Sequence, residues 1–325
     1  MKKNTPLVSI GLPVYNGEDH LEEVLDSLLK QKYKNFEIII SDNKSTDRTS
    51  AICKKFAEKN NKIFYFKQKK NIGAINNFNF VLSKAKGSYF MWAAADDLWH
   101  KDYLKILVKL LLNHPKHDLV ITEYAYFSQR TYDKRRIKLR RFIGYQKIES
   151  ILNFLNNGLS LMNDVVYYGL YKTKKLKQLG GHVIDENRKI VNYLNNDIYA
   201  TFRLLIRGVN FFLCKKVLFY KRDSGVNLDV YTEMKNLNLT KTTLQKFFGY
   251  LIVFPIIFFY DSYIFTILTF KSSFSWREKR VIFFYIIKSF FVREYYHYQA
   301  IAFGFFHLVN GLTIRFFRFH KNDDK

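Results

Sequence analysis

The sequence predicts an α/β protein with a doubly wound, mainly parallel sheet, followed by a helical, aromatic tail. Three observations carry this. Apolar strand-like runs alternate with amphipathic helical segments through the first half of the chain, the pattern of βαβ units. The strand-like runs are almost continuously apolar, as expected for a parallel sheet covered on both faces. After about Thr240 the composition shifts to Phe, Tyr and Ile interleaved with Lys and Arg. A chain of 325 residues, 48% hydrophobic, has room for one large domain and an appendage, here residues 1–240 and 241–325.

Leu7 to Val14 is strand-like and ends in the loop signal Pro13-Val14-Tyr15-Asn16-Gly17. From Glu18 to Gln31 apolar residues recur at helical spacing: Leu21, Val24, Leu25, Leu28 and Leu29. Phe36 to Ser41 is the second strand, running into Asp42-Asn43-Lys44-Ser45-Thr46-Asp47. A helix follows from about Asp47 to Glu58, with Ser45, Thr46 or Asp47 available to cap it. Ile63 to Lys67 is a third strand. Asn71 and Gly73 open an Asn-rich helix (Asn76, Asn77, Asn79) that reaches Ala85.

The chain is organised around Ser88–Trp99, SYFMWAAADDLW. It begins as a buried strand, Tyr89 to Ala94, and ends in adjacent acids, Asp96 and Asp97. In open α/β sheets ligands bind outside the carboxyl ends of the strands. Two acids there suit a hard divalent cation that takes its other ligands from water and substrate phosphates. Alternatively, one acid caps the helix starting near Lys101 and the other is solvated. Three strand ends converge on one edge, offering Tyr15 and Asn16, then Asp42 and Asn43, then Asp96 and Asp97. An aromatic ring there can stack on a nucleobase, and a carboxylate can accept from the N–H of a uracil or thymine.

The formal charge of +25 implies an anionic partner: a phosphate-bearing substrate, an anionic membrane face or a nucleic acid. No nucleic-acid motif accompanies it, so nucleic acid is not expected. Two cysteines, Cys53 and Cys214, at no metal-binding spacing, fit a reducing compartment. The N-terminal apolar run is short and broken by Pro13 and Asn16, so it reads as a core strand and not as a signal peptide.

The segments SIGLPVYNGEDHLEEVLDSLLKQKYKNFEIIISDNKSTDRT and NIGAINNFNFVLSKAKGSYFMWAAADD resemble the family 2 glycosyltransferases, over roughly residues 7 to 225. The resemblance implies the GT-A, nucleotide-diphospho-sugar transferase fold. It also implies transfer of a sugar from a nucleoside diphosphate donor to an acceptor hydroxyl, with inversion and a divalent metal, Mg²⁺ or Mn²⁺. On this chain Asp42 would bind the base, Tyr15 would stack on it and Asp96 would bind the metal, helped by Asp97 or a later residue such as His182. Pro13, Asn16, Asn43, Asn71, Gly73, Asn79 and Arg222 complete the expected donor site. The chain departs from the family pattern at Ala94, which replaces a first metal-motif acid, at Asn43, which replaces a second acid, and at Phe78, which replaces an Arg.

Tyr103 to Asn113 is an amphipathic helix and Asp118 to Ser128 a strand. Arg130 to Arg141 is a basic run suited to a solvated loop or to anionic lipid. A short helical stretch precedes Gly180-Gly181-His182, and an apolar helix following Asn196-Asp197 leads to a strand, Val209 to Tyr220. The resemblance assigns Asp197 as the catalytic base, with Asp185 and Glu186 in reserve; from the residues alone it is better read as an acid that favours a helix N-terminus. Arg222 is expected to screen the leaving diphosphate, or else to be a surface residue.

Phe247 to Phe270 is long enough to span a bilayer but is interrupted by Pro255 and Asp261 and has basic flanks. A re-entrant or interfacial segment fits better, with Val281–Val292 and Ala300–Phe319 continuing the aromatic and cationic pattern. A soluble helical bundle is the alternative. The expected setting is the cytoplasmic face of the inner membrane, with a polyprenyl-diphosphate-linked glycan as acceptor. Two rivals remain. A sugar nucleotidyltransferase needs a Gly-rich basic loop where this chain has PVYNGE; a non-catalytic glycan- or partner-binding relative is suggested by Ala94 and Asn196.

Overall fold

The computed structural model describes residues 5–128, 139–140, 166–181, 202–223, 262–263, 265–267, 269–288 and 290–291. The chain divides into two units, Met1–Asn227 and Leu228–Lys325. The expected join at residue 240 lies outside the described residues, as do 224–261 and the segment 300–319 of the tail.

In the first unit the order is β1 (Val8–Val14), α1 (Leu21–Leu29), β2 (Phe36–Asp42), α2 (Thr49–Lys59), β3 (Ile63–Lys67), α3 (Ala74–Lys84) and β4 (Tyr89–Trp92). Then come β5 (Leu98–Trp99), α4 (Tyr103–Asn113), β6 (Leu119–Ser128), β7 (Leu139–Arg140), β8 (Leu170–Lys172), α5 (Thr173–Gln178) and β9 (Phe211–Asp223). Among the described residues these strands form one sheet in the order β3-β2-β1-β4-β8-β6-β9-β5, with β7 beside β6.

The strands β3, β2, β1 and β4 are parallel, as the apolar runs predict. Every residue of β1 and β2 is buried, which is why neither strand alternates. Pro13 is tolerated inside β1 because β4 pairs only as far as Gly11↔Trp92, so no neighbour on that side needs its missing N–H. The second half corrects the mainly parallel expectation to a mixed sheet. Strand β8 runs antiparallel between β4 and β6, and β5 antiparallel to β9, while β6 and β9 are parallel with a bulge near Glu123. Strands β5 and β8 are two and three residues long, too short to show a period of two.

The helices cover the sheet with the faces their spacing implies. Helix α1 buries Leu21, Val24, Leu25 and Leu28; α4 buries Tyr103, Leu104, Leu107, Val108 and Leu111. The α4 N-terminus is satisfied from a distance: Gln31, fully buried, accepts the Leu104 N–H through Oε1 at 3.0 Å and donates from Nε2 to the His100 carbonyl at 2.9 Å. Neither Asp96 nor Asp97 caps this helix, which removes the bland alternative for that pair. Behind β4, Trp92 stacks on Tyr167 at 4.6 Å between centroids, and Phe78 packs on both rings. The Phe78 position, where the family pattern has an Arg, belongs to an aromatic cluster.

At the opposite end of the strands, Ser9 donates to Glu37 Oε1 at 2.6 Å and accepts the Gly87 N–H at 2.8 Å. A Cβ at Gly87 would lie 2.6 Å from the Leu7 carbonyl oxygen and 2.7 Å from the Ser9 nitrogen. Both are backbone atoms of β1 or its approach, which cannot yield cheaply. Gly87→Ala is therefore expected to destabilise the first unit by about 1–3 kcal/mol in a denaturant titration.

In the second unit, residues 276–288 are helical. The helix begins with a reciprocal capping box: the Ser275 N–H donates to Glu278 Oε2 at 2.8 Å, and the Glu278 N–H to Ser275 Oγ at 3.4 Å. Ile282 and Ile286 are buried on it, as are Phe265, Thr269 and Phe274. Among the described residues no helix is long and apolar enough to cross a membrane.

Candidate active site at the carboxyl ends of the parallel strands

The register of β2, β1 and β4 brings their carboxyl ends to one edge of the sheet: Val14 pairs with Asp42, and Gly11 with Trp92. Tyr15, Asp42 and Asp96 therefore share an edge, as the sequence predicts. The turn after β4 reaches the β1–α1 loop, since a Cβ built at Gly17 would lie 3.4 Å from Ala95 Cβ.

The first two loops are laced together. Asn16, at φ 50°, donates its N–H to Ser45 Oγ at 3.0 Å and accepts the Thr46 N–H through Oδ1 at 2.9 Å. The Gly17 N–H donates to Thr49 Oγ1 at 2.8 Å and the Glu18 N–H to Asp47 Oδ2 at 3.1 Å. Asp47 also accepts the Thr49 N–H at 3.0 Å, but the N-cap of α2 is Arg48 and not one of the three residues the sequence offers. Asn16 thus works inside the loop, whereas Tyr15 is left 51% exposed on the rim.

Asp42 has no exposed surface. Oδ1 accepts the Ser45 N–H at 2.7 Å; Oδ2 accepts the Ser50 hydroxyl at 2.5 Å and the Tyr65 hydroxyl at 3.0 Å. Burial raises its pKa, but these hydrogen bonds together outweigh burial and hold the carboxyl below its ordinary value. Burial is also the main reason the Tyr65 phenol is pushed up to about 12, the Asp42 carboxylate adding to it. Both Asp42 oxygens thus accept from the loop and from β3, with Oδ1 taking a single hydrogen bond. Asn43 is buried beside it, donating to Asn71 Oδ1 and accepting the Ile72 N–H, both at 2.8 Å. Asn71 Oδ1 also accepts the Gly73 N–H at 2.9 Å. Gly73 sits at φ 81°, with nothing within 4 Å of a Cβ built there, so this part of the rim is open. Asn79 lies farther along α3, with Oδ1 2.8 Å from a Cβ built on Gly181.

The two adjacent acids divide their work. Asp97 is buried, and its Oδ1 accepts the Arg222 N–H at 2.8 Å, tying β9 to the turn. Asp96 is partly exposed, and its carboxylate has no hydrogen-bond or ion-pair partner among the described residues. Arg222, 6% exposed, is no surface residue. It donates from Nε to the Asp96 carbonyl at 2.8 Å, pairs with Glu23 Oε2 at 2.5 Å and lies 4.5 Å from the Phe127 ring centroid. These contacts make it a clamp on the turn that carries Asp96. His182 and Asp197 lie outside the described residues, with Asp185, Glu186 and most of the basic run 130–141.

Among the described residues no three His, Cys, Asp or Glu side chains gather as a metal cage. The Asp96 carboxylate still fits Mg²⁺ or Mn²⁺, because such ions are commonly held by one or two carboxylates plus substrate phosphates and water. Asp97 does not fit, being buried and engaged by Arg222.

The profile described as glycosyl transferase family 2 matches residues 9–180, a little over half of the chain. The chain belongs to this family. An uncharacterized glycosyltransferase of Rickettsia typhi is 32% identical over 169 residues, covering 50% of this chain and 52% of that protein. Glycosyltransferase GlyA of Streptococcus pneumoniae is 34% identical over 122 residues, 38% of this chain and 17% of GlyA. The match thus spans about half the length of the first relative and less of the second. Staphylococcus aureus TarS 1-349 in complex with UDP-GlcNAc shares the fold, with TM-score 0.61 and 18% identity over 88% of this chain and 72% of that one. Residues 9–180 are a glycosyl transferase domain, and the family 2 frame accounts for the strand-end rim.

The sequence reading missed the residues that build this rim: Ser45, Thr49, Ser50, Tyr65 and Glu23. Only Ser45 had a local signal, since Asp followed at three residues by Ser marks an Asx-type turn.

Proposed function

We propose that this chain transfers a sugar from a uridine or deoxythymidine diphosphate donor to a hydroxyl of a lipid-linked glycan, in bacterial surface polysaccharide assembly. The observation that carries this reading is the Asp96 carboxylate, without a partner among the described residues, at the shared edge of a family 2 domain. The UDP-GlcNAc complex of TarS, on the same fold, supports a nucleotide-sugar donor. In this reading Tyr15 offers its exposed ring to the base and Asn71 and Gly73 flank the opening. A divalent cation bound by Asp96 and the diphosphate would supply positive charge to the leaving group.

The chain's own part is proton handling and positioning. Asp197 takes the proton of the acceptor hydroxyl while that oxygen bonds to the anomeric carbon. The bond from that carbon to the diphosphate oxygen breaks, the nucleoside diphosphate departs and the configuration inverts. The reaction needs no covalent enzyme intermediate. The site works at the cytoplasmic face of the inner membrane, where basic and aromatic residues of the second unit meet lipid.

A panel of sugar nucleotides, assayed for nucleoside diphosphate release with a lipid-linked acceptor, tests the reading. Turnover with one donor supports it; donor binding with no turnover supports a non-catalytic relative instead. Asp197→Asn is expected to lower kcat about 100-fold or more in folded protein. Undiminished transfer by that variant would reassign the base.

A further inference from the structure

The helix at 276–288 has two apolar faces. Ile282 and Ile286 are buried within the second unit, but Trp276, Phe284, Ile287 and Phe291 are 69%, 64%, 40% and 65% exposed. At a helical period of 3.6 these four positions fall on one stripe. Exposed Arg277, Arg280 and Lys288 lie along and beside it. The capping box at Ser275 and Glu278 fixes the start of the helix, so Trp276 stands in its first turn.

A row of exposed large apolar side chains on one face marks a surface that is covered in use. Here the cover must also accept cations. Lys271, Arg277, Lys279, Arg280 and Lys288 are opposed in this segment by Glu278, whose carboxylate already accepts from Ser275. We propose that this face docks into the interface of an anionic lipid leaflet, with the rings at headgroup depth and the cations on lipid phosphates. The inference deepens the membrane part of the proposed function and rests on it, not on the sugar-transfer part.

The molecule carries its own reporter. Of its three tryptophans, Trp92 and Trp99 are buried and Trp276 is open to water. The full chain is mixed with phosphatidylcholine vesicles, with or without phosphatidylglycerol. The expected result is a blue shift of Trp276 emission, and quenching by brominated acyl chains, with the anionic vesicles only and weakening at high salt. The double variant Phe284→Ser with Phe291→Ser keeps the reporter and should partition at least about tenfold more weakly. Its nucleoside diphosphate release, measured with the lipid-linked acceptor dispersed in neutral detergent instead of vesicles, should stay at the wild-type rate, which separates docking from sugar transfer. An unshifted Trp276 in protein that still sediments with vesicles overturns this face and leaves the membrane reading standing. No shift and no sedimentation overturns both. A blue shift that grows with protein concentration in the absence of lipid assigns the face to a second copy of the chain, and also overturns the proposal.

Discussion

Asp96→Asn is expected to reduce kcat about 1,000-fold with little change in stability. The variant would lose the carboxylate that would hold the cation at the leaving diphosphate, and loss of such charge stabilisation costs about that much. The carboxylate has no partner among the described residues, so its loss should change folding free energy by no more than about 0.5 kcal/mol. Its carbonyl, which accepts from Arg222, is retained in the variant. Asp97→Asn supplies the contrast. That side chain is buried against the Arg222 N–H, so the variant should lose stability by about 1–2 kcal/mol. Thermal melts of the two variants beside their rates with Mg²⁺ or Mn²⁺ check both. Full transfer by Asp96→Asn would sink the site assignment.

Asp42→Ala is expected to destabilise the first unit by about 3–5 kcal/mol, because it leaves the Ser45 N–H, Ser50 hydroxyl and Tyr65 hydroxyl without their shared acceptor. The pH dependence has a definite sign. The folded pKa lies below the ordinary 3.8, so the contribution is fully present above that value. It fades as pH falls through 3.8 and is lost once pH drops through the folded pKa. The stability difference between wild type and variant, measured by denaturant titration from pH 6 downward, should therefore narrow in acid. A variant with unchanged stability and a raised donor KM would assign Asp42 to the base and not to the loop.

Much of the first unit was legible as pattern. Strands β1, β2 and β4 announced themselves as apolar runs because each is buried along its whole length, the edge strand β3 is apolar but half-exposed, and α4 lies at Tyr103–Asn113 as its periodicity predicts. The convergence of Tyr15, Asp42 and Asp96 was legible too, because parallel strands joined by helices put their carboxyl ends on one side. The short strands β5 and β8 were not, for they exist only through partners far along the chain, such as Leu98 opposite Tyr220. The surface alternative for Arg222 failed for the same reason. Its partners Glu23 and Asp96 lie 199 and 126 residues away.

By itself the sequence determined the alternation of strand and helix, the family, and the polar residues that stand at each strand end, because these depend on local periodicity and spacing. Only the tertiary structure decided what each polar group faces. Asp96 and Asp97 are neighbours of one chemical type, yet one is open and the other buried, since a buried carboxylate needs donors, and the donor to Asp97 comes from β9. The same rule turned Asp42 inward to Ser45, Ser50 and Tyr65. Burial and the supply of distant donors, which no local pattern encodes, separate the open Asp96 carboxylate from the acids that hold the loops in place.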